Sequence, residues 1–442
     1  MPKSPPEENV ELPSAIIVGV LLPNEESSLL DDDLDELEAL LSTLGFSTVA
    51  RVIQKRHKLI AKSLLGEGKV EEIASMVQDQ GAKAVVFDRH LSPPQVRNLE
   101  KALCCEVLDR TGVILEIFAR HARTNQAKTQ VEIAQLEYLL PRMTGAWTHF
   151  GRQAGGAVKS RGMGEKQIEV DRRRARERIS KLHKQLEQFQ KEKKIQRKSR
   201  RNELKVALVG YTNSGKTTLM NAMTRANLEA ADVLFATLES SVRTIDPTTR
   251  PKILLSDTVG FIRNLPHGLI ESFKSTLDEV CEADLLLHVV DISHENYQSH
   301  IETTEKVLQE IGAGDVPRMM VFNKYDQVDD KYLPKVLRQA YKNSITVSAL
   351  EVDDVIKLRQ HVFKYFEDHM RETCLAVPGE HQQALSLIYK SCLILLSDFS
   401  DQGLARFKVR AAESVLARLE NYIVDAAEGP HEAIEAEEEG PC

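Results

Sequence analysis

The chain has 442 residues, 42% hydrophobic and 28% charged, which allows about three domains of ~150 residues and excludes general disorder. Its net charge of −8, from 58 basic and 66 acidic side chains, excludes a chain that is basic throughout, and its six cysteines (Cys104, Cys105, Cys281, Cys374, Cys392, Cys442) form no CxxC pair, which argues against a zinc or redox motif. No apolar run approaches the ~20 residues of a membrane span, and the opening MPKSPPEENV lacks a signal peptide's apolar region, so a cytoplasmic protein is expected.

Residues 1–13 read as a flexible N-terminus. Over 14–110, short apolar runs alternate with amphipathic ones. SAIIVGVLL, TVARVIQ and AVVFD are strand candidates, while LDELEALLSTLGF (closed by Gly45) and GKVEEIASMVQDQGA have helical spacing. This alternation predicts βαβ units and a small, mostly parallel sheet. Residues 111–203 read as an α-helical hairpin, one helix near Arg123–Tyr138 and a second from about Gln167 past Lys194, joined by a glycine-rich tip. From Asp171 to Lys205 there are 15 Lys or Arg against 5 Asp or Glu. That basic run is either a surface for a phosphate backbone or a solvated helix face with i,i+4 pairs such as Glu177–Lys181. At the tip, Arg152, Lys159, Arg161 and Lys166 add positive charge. Trp147 and Phe150 are there either to stack on bases or as ordinary packed aromatics.

The β/α alternation returns over 204–372, with KVALVG, KILLSDTVGF, LLLHVVD, RMMVFNK and NSITVSA as strands. Residues 373–424 hold a small C-terminal module whose strand order the pattern does not give. The tail 425–442 has 7 acidic and no Lys or Arg residues and is expected to be disordered.

The chemistry lies in the 204–372 segment. Gly210, Tyr211, Thr212, Asn213, Ser214, Gly215, Lys216 and Thr217, followed by Thr218, make a complete GxxxxGK[ST] match between a strand and a helix. Its glycines let successive N–H groups turn inward around phosphate oxygens, and the helix N-terminus adds partial positive charge. Lys216 is placed to reach the β- and γ-phosphates and Thr217 to ligate Mg²⁺. Asn213 is either a potassium ligand or a turn-stabilising asparagine. Gly66-Glu67-Gly68-Lys69 lacks this spacing and reads as the start of a helix.

Downstream come the other parts of a guanine-nucleotide site. Asn323, Lys324 and Asp326 form NKxD, whose carboxylate pairs with guanine donors and would be stranded by adenine. Ser348, Ala349 and Leu350 supply a third base-contact loop. Asp257, Thr258, Val259 and Gly260 form DxxG at a strand end, with Asp257 toward Mg²⁺ and the Gly260 N–H toward the γ-phosphate. Phe235, Ala236, Thr237, Leu238 and Glu239 form a switch in which Thr237 is a further Mg²⁺ ligand. Catalysis is expected to rest on Lys216, Thr237 and Gly260. After Gly260 stands Phe261, where Ras-like enzymes often carry a water-orienting glutamine, so intrinsic turnover is expected to be slow.

Taken together, the motifs resemble a translation-factor-class GTPase domain. The stretches LLGEGKVEEI, FDRHLSPPQVRNLE, DRTGVILEIFARHARTNQAKTQVEIAQLEYLLPRM, GMGEKQIEVDRR, GYTNSGKTTLMN, LFATLESSVRTI and DTVGFIRNLP make residues 15–370 resemble the HflX family of ribosome-associated GTPases, related to Obg. The resemblance implies a P-loop GTPase domain with an N-terminal α/β domain, a helical hairpin and a small C-terminal module. It implies a monomeric GTP hydrolase using Mg²⁺ that binds the large ribosomal subunit and separates stalled or idle ribosomes. It also implies a hairpin tip that approaches the peptidyl-transferase region of 23S RNA. Where the family has GPGE and GETQ, this chain has Gly162-Met163-Gly164-Glu165 and Gly164-Glu165-Lys166-Gln167. A protein-signalling GTPase switch with no RNA partner is the alternative.

Overall fold

A computed structural model describes residues 12–143, 164–199, 203–224, 234–235, 241–263, 277–399 and 403–425. Residues 1–11, the hairpin tip at 144–163 and the tail from 426 lie outside the described residues. The described residues fall into two compact units. One runs to residue 192 and includes 234–235, 259–263 and Leu277; the other comprises the remainder.

In the first unit, β1 (Ser14–Leu21), β2 (Ser47–Lys55), β3 (Ala84–Phe87) and β4 (Glu106–Asp109) form a parallel sheet in the order β2-β1-β3-β4. Strand β3 is buried at every position, because helices cover both faces of a parallel sheet and its central strands read as continuous apolar runs. The intervening helices are α1 (Ser27–Thr43), α2 (Glu67–Gln80) and α3 (Pro93–Leu103). Gly45 (φ +75°) and Gly81 (φ +63°) follow α1 and α2 in the left-handed conformation that ends helices. Gly66 is the N-cap of α2, a helix start and not a phosphate loop. The sequence pattern did not mark α3 and β4. They are short, and α3 announces itself mainly by the Ser92/Gln95 capping box.

Helix α4 (Arg110–His121), which lies in the stretch read as hairpin, packs on α1 and β4 and buries Ile114, Ile117 and Phe118. Thr124 caps α5 (Asn125–Leu139), and α6 (Gly164–Ser199) is the long basic helix. Arg178 bridges α6 to Glu132 of α5 through two bonds of 2.7 and 2.9 Å. Ala175 and Leu182 form the buried side of α6. Glu177 pairs with Arg173 at 3.8 Å and not, as the i,i+4 spacing suggested, with Lys181.

Asp109, fully buried at the end of β4, joins these parts. It caps α4 by accepting from Gly112 N (3.0 Å), and it also accepts from Leu91 N (3.0 Å), Tyr138 Oη (2.8 Å) and Arg142 (3.1 Å). Burial works to raise its pKa, but His90, the two amides and Arg142 outweigh it and hold the carboxyl below its usual range.

The second unit is built on β5 (Leu204–Gly210), α7 (Lys216–Thr224), β6 (Ser241–Thr244), β7 (Ile253–Asp257), β8 (Leu285–Asp291), α8 (Tyr297–Glu310), β9 (Arg318–Asn323), α9 (Leu333–Ala340), β10 (Ser344–Thr346) and α10 (Val352–Asp368). Its strand order is β10-β9-β8-β5-β7-β6, parallel except where β6 runs against β7. All five expected strands form; β6, a short and half-exposed edge, was not expected.

A C-terminal sheet follows, with β11 (Arg371–Pro378), α11 (Gln382–Ser391), β12 (Leu393–Phe399), β13 (Leu404–Ala411), α12 (Glu413–Leu416) and β14 (Ile423–Val424). Its antiparallel order β12-β13-β11-β14 is that of a split βαβ module, with Leu375, Phe407 and Val409 in its core. Among the described residues, no helix is long and apolar enough to cross a membrane, and the five cysteines are free thiols.

Asp109→Ala leaves Gly112 N, Leu91 N, Tyr138, Arg142 and His90 without their buried acceptor and is expected to cost the first unit about 3–5 kcal/mol. Hydrogen exchange should quicken across α4 and α5 while the β5–β8 amides keep wild-type protection. The wild-type contribution is present above pH 3.8, the ordinary aspartate value, and is lost as pH falls through the lower value of the folded state.

Candidate functional site

The loop between β5 and α7 is shaped by two glycines. Gly210 (φ +150°) lies so near the Val289 carbonyl, and Gly215 (φ +93°) so near the Asn323 carboxamide, that a Cβ on either would collide. With those side chains absent, the loop folds back on its own lysine. Lys216, 6% exposed, donates from Nζ to the carbonyls of Tyr211 (2.6 Å) and Gly210 (3.2 Å). Burial pulls its pKa down to about 8, Asp257 opposes that shift, and Lys324 adds to it. Thr212 and Ser214 place buried hydroxyls in the same loop that find no partner among the described residues. Tyr211 stacks on His300 of α8 with ring centroids 3.9 Å apart. Asn213 takes φ +57° and is exposed, and Thr218 is half-buried.

Thr217 Oγ1 donates to Asp257 Oδ2 at 2.7 Å, and Asp257 is fully buried at the end of β7, next to buried Thr258. A hydroxyl and a carboxylate converging beside a phosphate loop are hard oxygen donors of the kind Mg²⁺ takes, usually with waters and phosphates completing its shell. Among the described residues no group of three or more His, Cys, Asp or Glu gathers into a protein-only metal site.

Asn323, 1% exposed at the end of β9, binds two loops at once. Its Nδ2 donates to Ser214 O (2.9 Å), and its Oδ1 accepts from Ala349 N (3.0 Å). Lys324 (φ +62°) reaches Asp291 at the end of β8, Nζ to carboxylate 2.7 Å. Asp326 is exposed, Ser348 is buried, and Leu350 is 74% exposed. Asp354 holds the last loop by accepting from Ser348 N (3.2 Å) and Lys357 (3.0 Å). Asp291, Asp354 and His300 had not been singled out from the sequence. A carboxylate directly after LLLHVV and one six residues past Ser348 were the available signals.

The structure therefore gathers the phosphate loop, Asp257, Thr258, Asn323 to Asp326 and Ser348 to Leu350 in one unit. Phe235, Val259 and Gly260 belong to the other. There Phe235 (φ +58°, 2% exposed) sets its ring edge-on to Phe118 at 4.7 Å, Val259 and Gly260 are buried, and Phe261 is 2% exposed. Ala236, Thr237, Leu238 and Glu239 lie outside the described residues.

Asn323→Ala removes both bonds and leaves the buried Ser214 O and the partly buried Ala349 N without these partners, at about 1–3 kcal/mol each. A fluorescent guanine nucleotide should bind on the order of 10²-fold more weakly, with far-UV circular dichroism unchanged. Gly215→Ala should abolish the same signal.

Three family models match the chain in order: GTP-binding GTPase N-terminal over residues 31–119, GTP-binding GTPase Middle Region over 121–200, and 50S ribosome-binding GTPase over 205–324. GTPase HflX of Gluconacetobacter diazotrophicus is 41% identical across 94% of this chain and 99% of its own. GTPase HflX of Flavobacterium psychrophilum is 49% identical across 72% of this chain and 77% of its own. The Escherichia coli GTPase HflX is 41% identical across 86% and 89%. Similarity of this depth over nearly the full length, added to the phosphate loop and its two stapled companion loops, means that the chain belongs to the HflX family of GTPases.

Proposed function

We propose that the protein hydrolyses GTP to GDP and phosphate and, in its GTP-bound form, docks on the large ribosomal subunit in the cytoplasm and separates stalled or idle ribosomes. The observation that carries the nucleotide reading is Lys216, buried in a glycine-built loop whose outer side Asn323 ties to the Ser348–Leu350 loop. One group of residues thus spans the distance from phosphate to base.

In this reading the backbone amides of Gly210 to Thr218 hold the phosphates, and Lys216 leaves its own loop's carbonyls for the β- and γ-phosphates. Asp326, exposed at the end of NKxD, takes the guanine donors, and Asn323 and Asp354 position the loops that frame the base. Thr217, Asp257 and Thr237 would hold Mg²⁺, which when bound neutralises charge developing on the phosphates. The Gly260 N–H meets the γ-phosphate. Phe261 is buried and its side chain has no hydrogen-bonding group with which to orient the attacking water. Slow intrinsic turnover, stimulated by the ribosome, follows, since such a missing piece is worth roughly 10³–10⁵ in rate.

Support for an RNA partner comes from α6. Arg173, Arg174, Arg176, Lys181 and Lys184 are exposed on it, while Arg178 and Ala175 face α5. Over its whole length α6 carries 13 Lys or Arg against 6 Asp or Glu, and 23S rRNA is a partner of matching charge. The description 50S ribosome-binding GTPase of the model matched over 205–324 points the same way.

Co-sedimentation tests the docking. The protein with a non-hydrolysable GTP analogue should pellet with large subunits and with GDP should not; failure in both states overturns the ribosomal reading. With about six phosphate contacts, binding should weaken about 10³-fold over a fourfold rise in salt. Lys216→Ala should lose hydrolysis by 10²-fold or more, on the order seen when a single transition-state donor is removed. Asp326→Asn should lose the preference for GTP over ATP, and a preference that survives it refutes the role of that carboxylate.

A further inference from the structure

The N-terminal sheet carries a cleft of about 910 Å³ that the nucleotide chemistry does not use. Its walls are the segments that follow the four strands: residues 24–26 after β1, Leu59 and Leu64 after β2, Asp88 to His90 after β3, and Arg110 and Thr111 after β4. With the order β2-β1-β3-β4, the connections leave β1 and β3 in opposite directions. Outside the carboxyl ends of an open parallel sheet, that reversal point is where the geometry opens a crevice for a ligand. The volume is within the ~300–1,000 Å³ that small-molecule sites occupy.

The lining states what would fit. Leu29 and Leu59 line the cleft 43% and 41% exposed and give it apolar wall area. Four carboxylates share the cleft with two arginines, and both arginines are spent. Arg89 pairs with Glu25 and donates to Val20 O at 3.1 Å, while Arg110, 3% exposed, pairs with Asp88 at 2.9 Å and with Glu36. Glu26 makes no ion pair among the described residues. The Asp33 carboxyl is pushed up to about 6, first by burial and next by the Asp88 charge, against the pull of Arg110 and Arg263. The four lining carboxylates outnumber the two lining arginines, so the wall of the cleft is net negative even with its arginines in place. Asp33 already shows which partner it accepts, since the guanidinium of Arg263, in the same unit, stands 3.3 Å away.

We propose that this cleft binds a small amphipathic cation, an amine or guanidine on an apolar body, with the cation toward Asp33 and Glu26 and the body against Leu29 and Leu59. A phosphate-bearing ligand would find both lining arginines already paired and would be repelled by Glu26 and the carboxylates beside it. The site is independent of the nucleotide reading, because none of its residues belongs to the phosphate or base loops.

The test uses the full chain and titration calorimetry with tyramine and agmatine as probes, and with 4-ethylphenol as the neutral counterpart of tyramine. Tyramine or agmatine should bind saturably at millimolar concentration or below, and 4-ethylphenol at least tenfold more weakly than tyramine. Glu26→Gln, at an exposed position that leaves the fold intact, should weaken amine binding severalfold. Asp33→Asn should weaken it tenfold or more, and Leu59→Ser should weaken tyramine more than agmatine. The proposal is overturned if neither amine saturates, if 4-ethylphenol matches tyramine, if both carboxylate variants bind like wild type, or if ATP binds the cleft in preference to the amines, read from competition with tyramine.

Discussion

The candidate site depends on one close approach, the carboxamide of Asn323 lying against the bare Cα of Gly215. Because that glycine has no side chain, Asn323 can reach the Ser214 carbonyl and still present its oxygen to Ala349 N. Two loops more than a hundred residues apart in the chain become one rigid edge. The same economy operates at Gly210, where the absent Cβ lets the loop pass beside β8 and bring its carbonyls onto Lys216. A buried ammonium is costly without partners. These carbonyls supply them, and among the described residues no carboxylate forms an ion pair with the lysine.

Carboxylates at strand ends recur through the molecule with different duties. Asp109 closes β4, and its oxygens are consumed by the first unit, where they cap α4 and hold Tyr138 and Arg142. Asp291 closes β8 and fixes the lysine of NKxD. Asp257 closes β7 and accepts from the Thr217 hydroxyl at 2.7 Å, a pairing of hard oxygens that suits donors to a metal. The common cause is geometric: the carboxyl end of a parallel strand opens onto the amides of the next loop or helix, where an anionic side chain is stabilised. Asp33 stands apart. It lies nearly two turns into α1, partly buried and paired with Arg263, and burial first and the Asp88 charge next push its pKa up to about 6.

The long helix α6 divides its basic residues between two tasks. Arg178 is tied to Glu132, and Arg172 donates to Met143 O at 2.8 Å, which anchors the helix to α5 and the turn that follows it. On its other side Arg173 and Arg174 pair with Glu177 and Asp171 of the same helix, while Arg176, Lys181 and Lys184 are exposed. An average charge of −8 conceals this face, because acidic residues elsewhere in the chain offset it.

What the sequence determined by itself was local. The phosphate loop was legible because its glycines, lysine and threonine lie within eight residues and each has a conformational or chemical reason for its place. The parallel strands other than β4 were legible as apolar runs, and NKxD and DxxG as short motifs at strand ends. Elements whose identity comes from their neighbours were not legible: β6 is a polar edge that forms only against β7, and the order of the C-terminal strands follows from pairings such as Leu375 with Phe407. The role of Asn323 as a staple, the holding of Lys324 by Asp291 and the cleft walled by four separate loops were decided by tertiary structure alone. Each depends on residues far apart in the chain meeting at one point, and no periodicity or spacing encodes such a meeting.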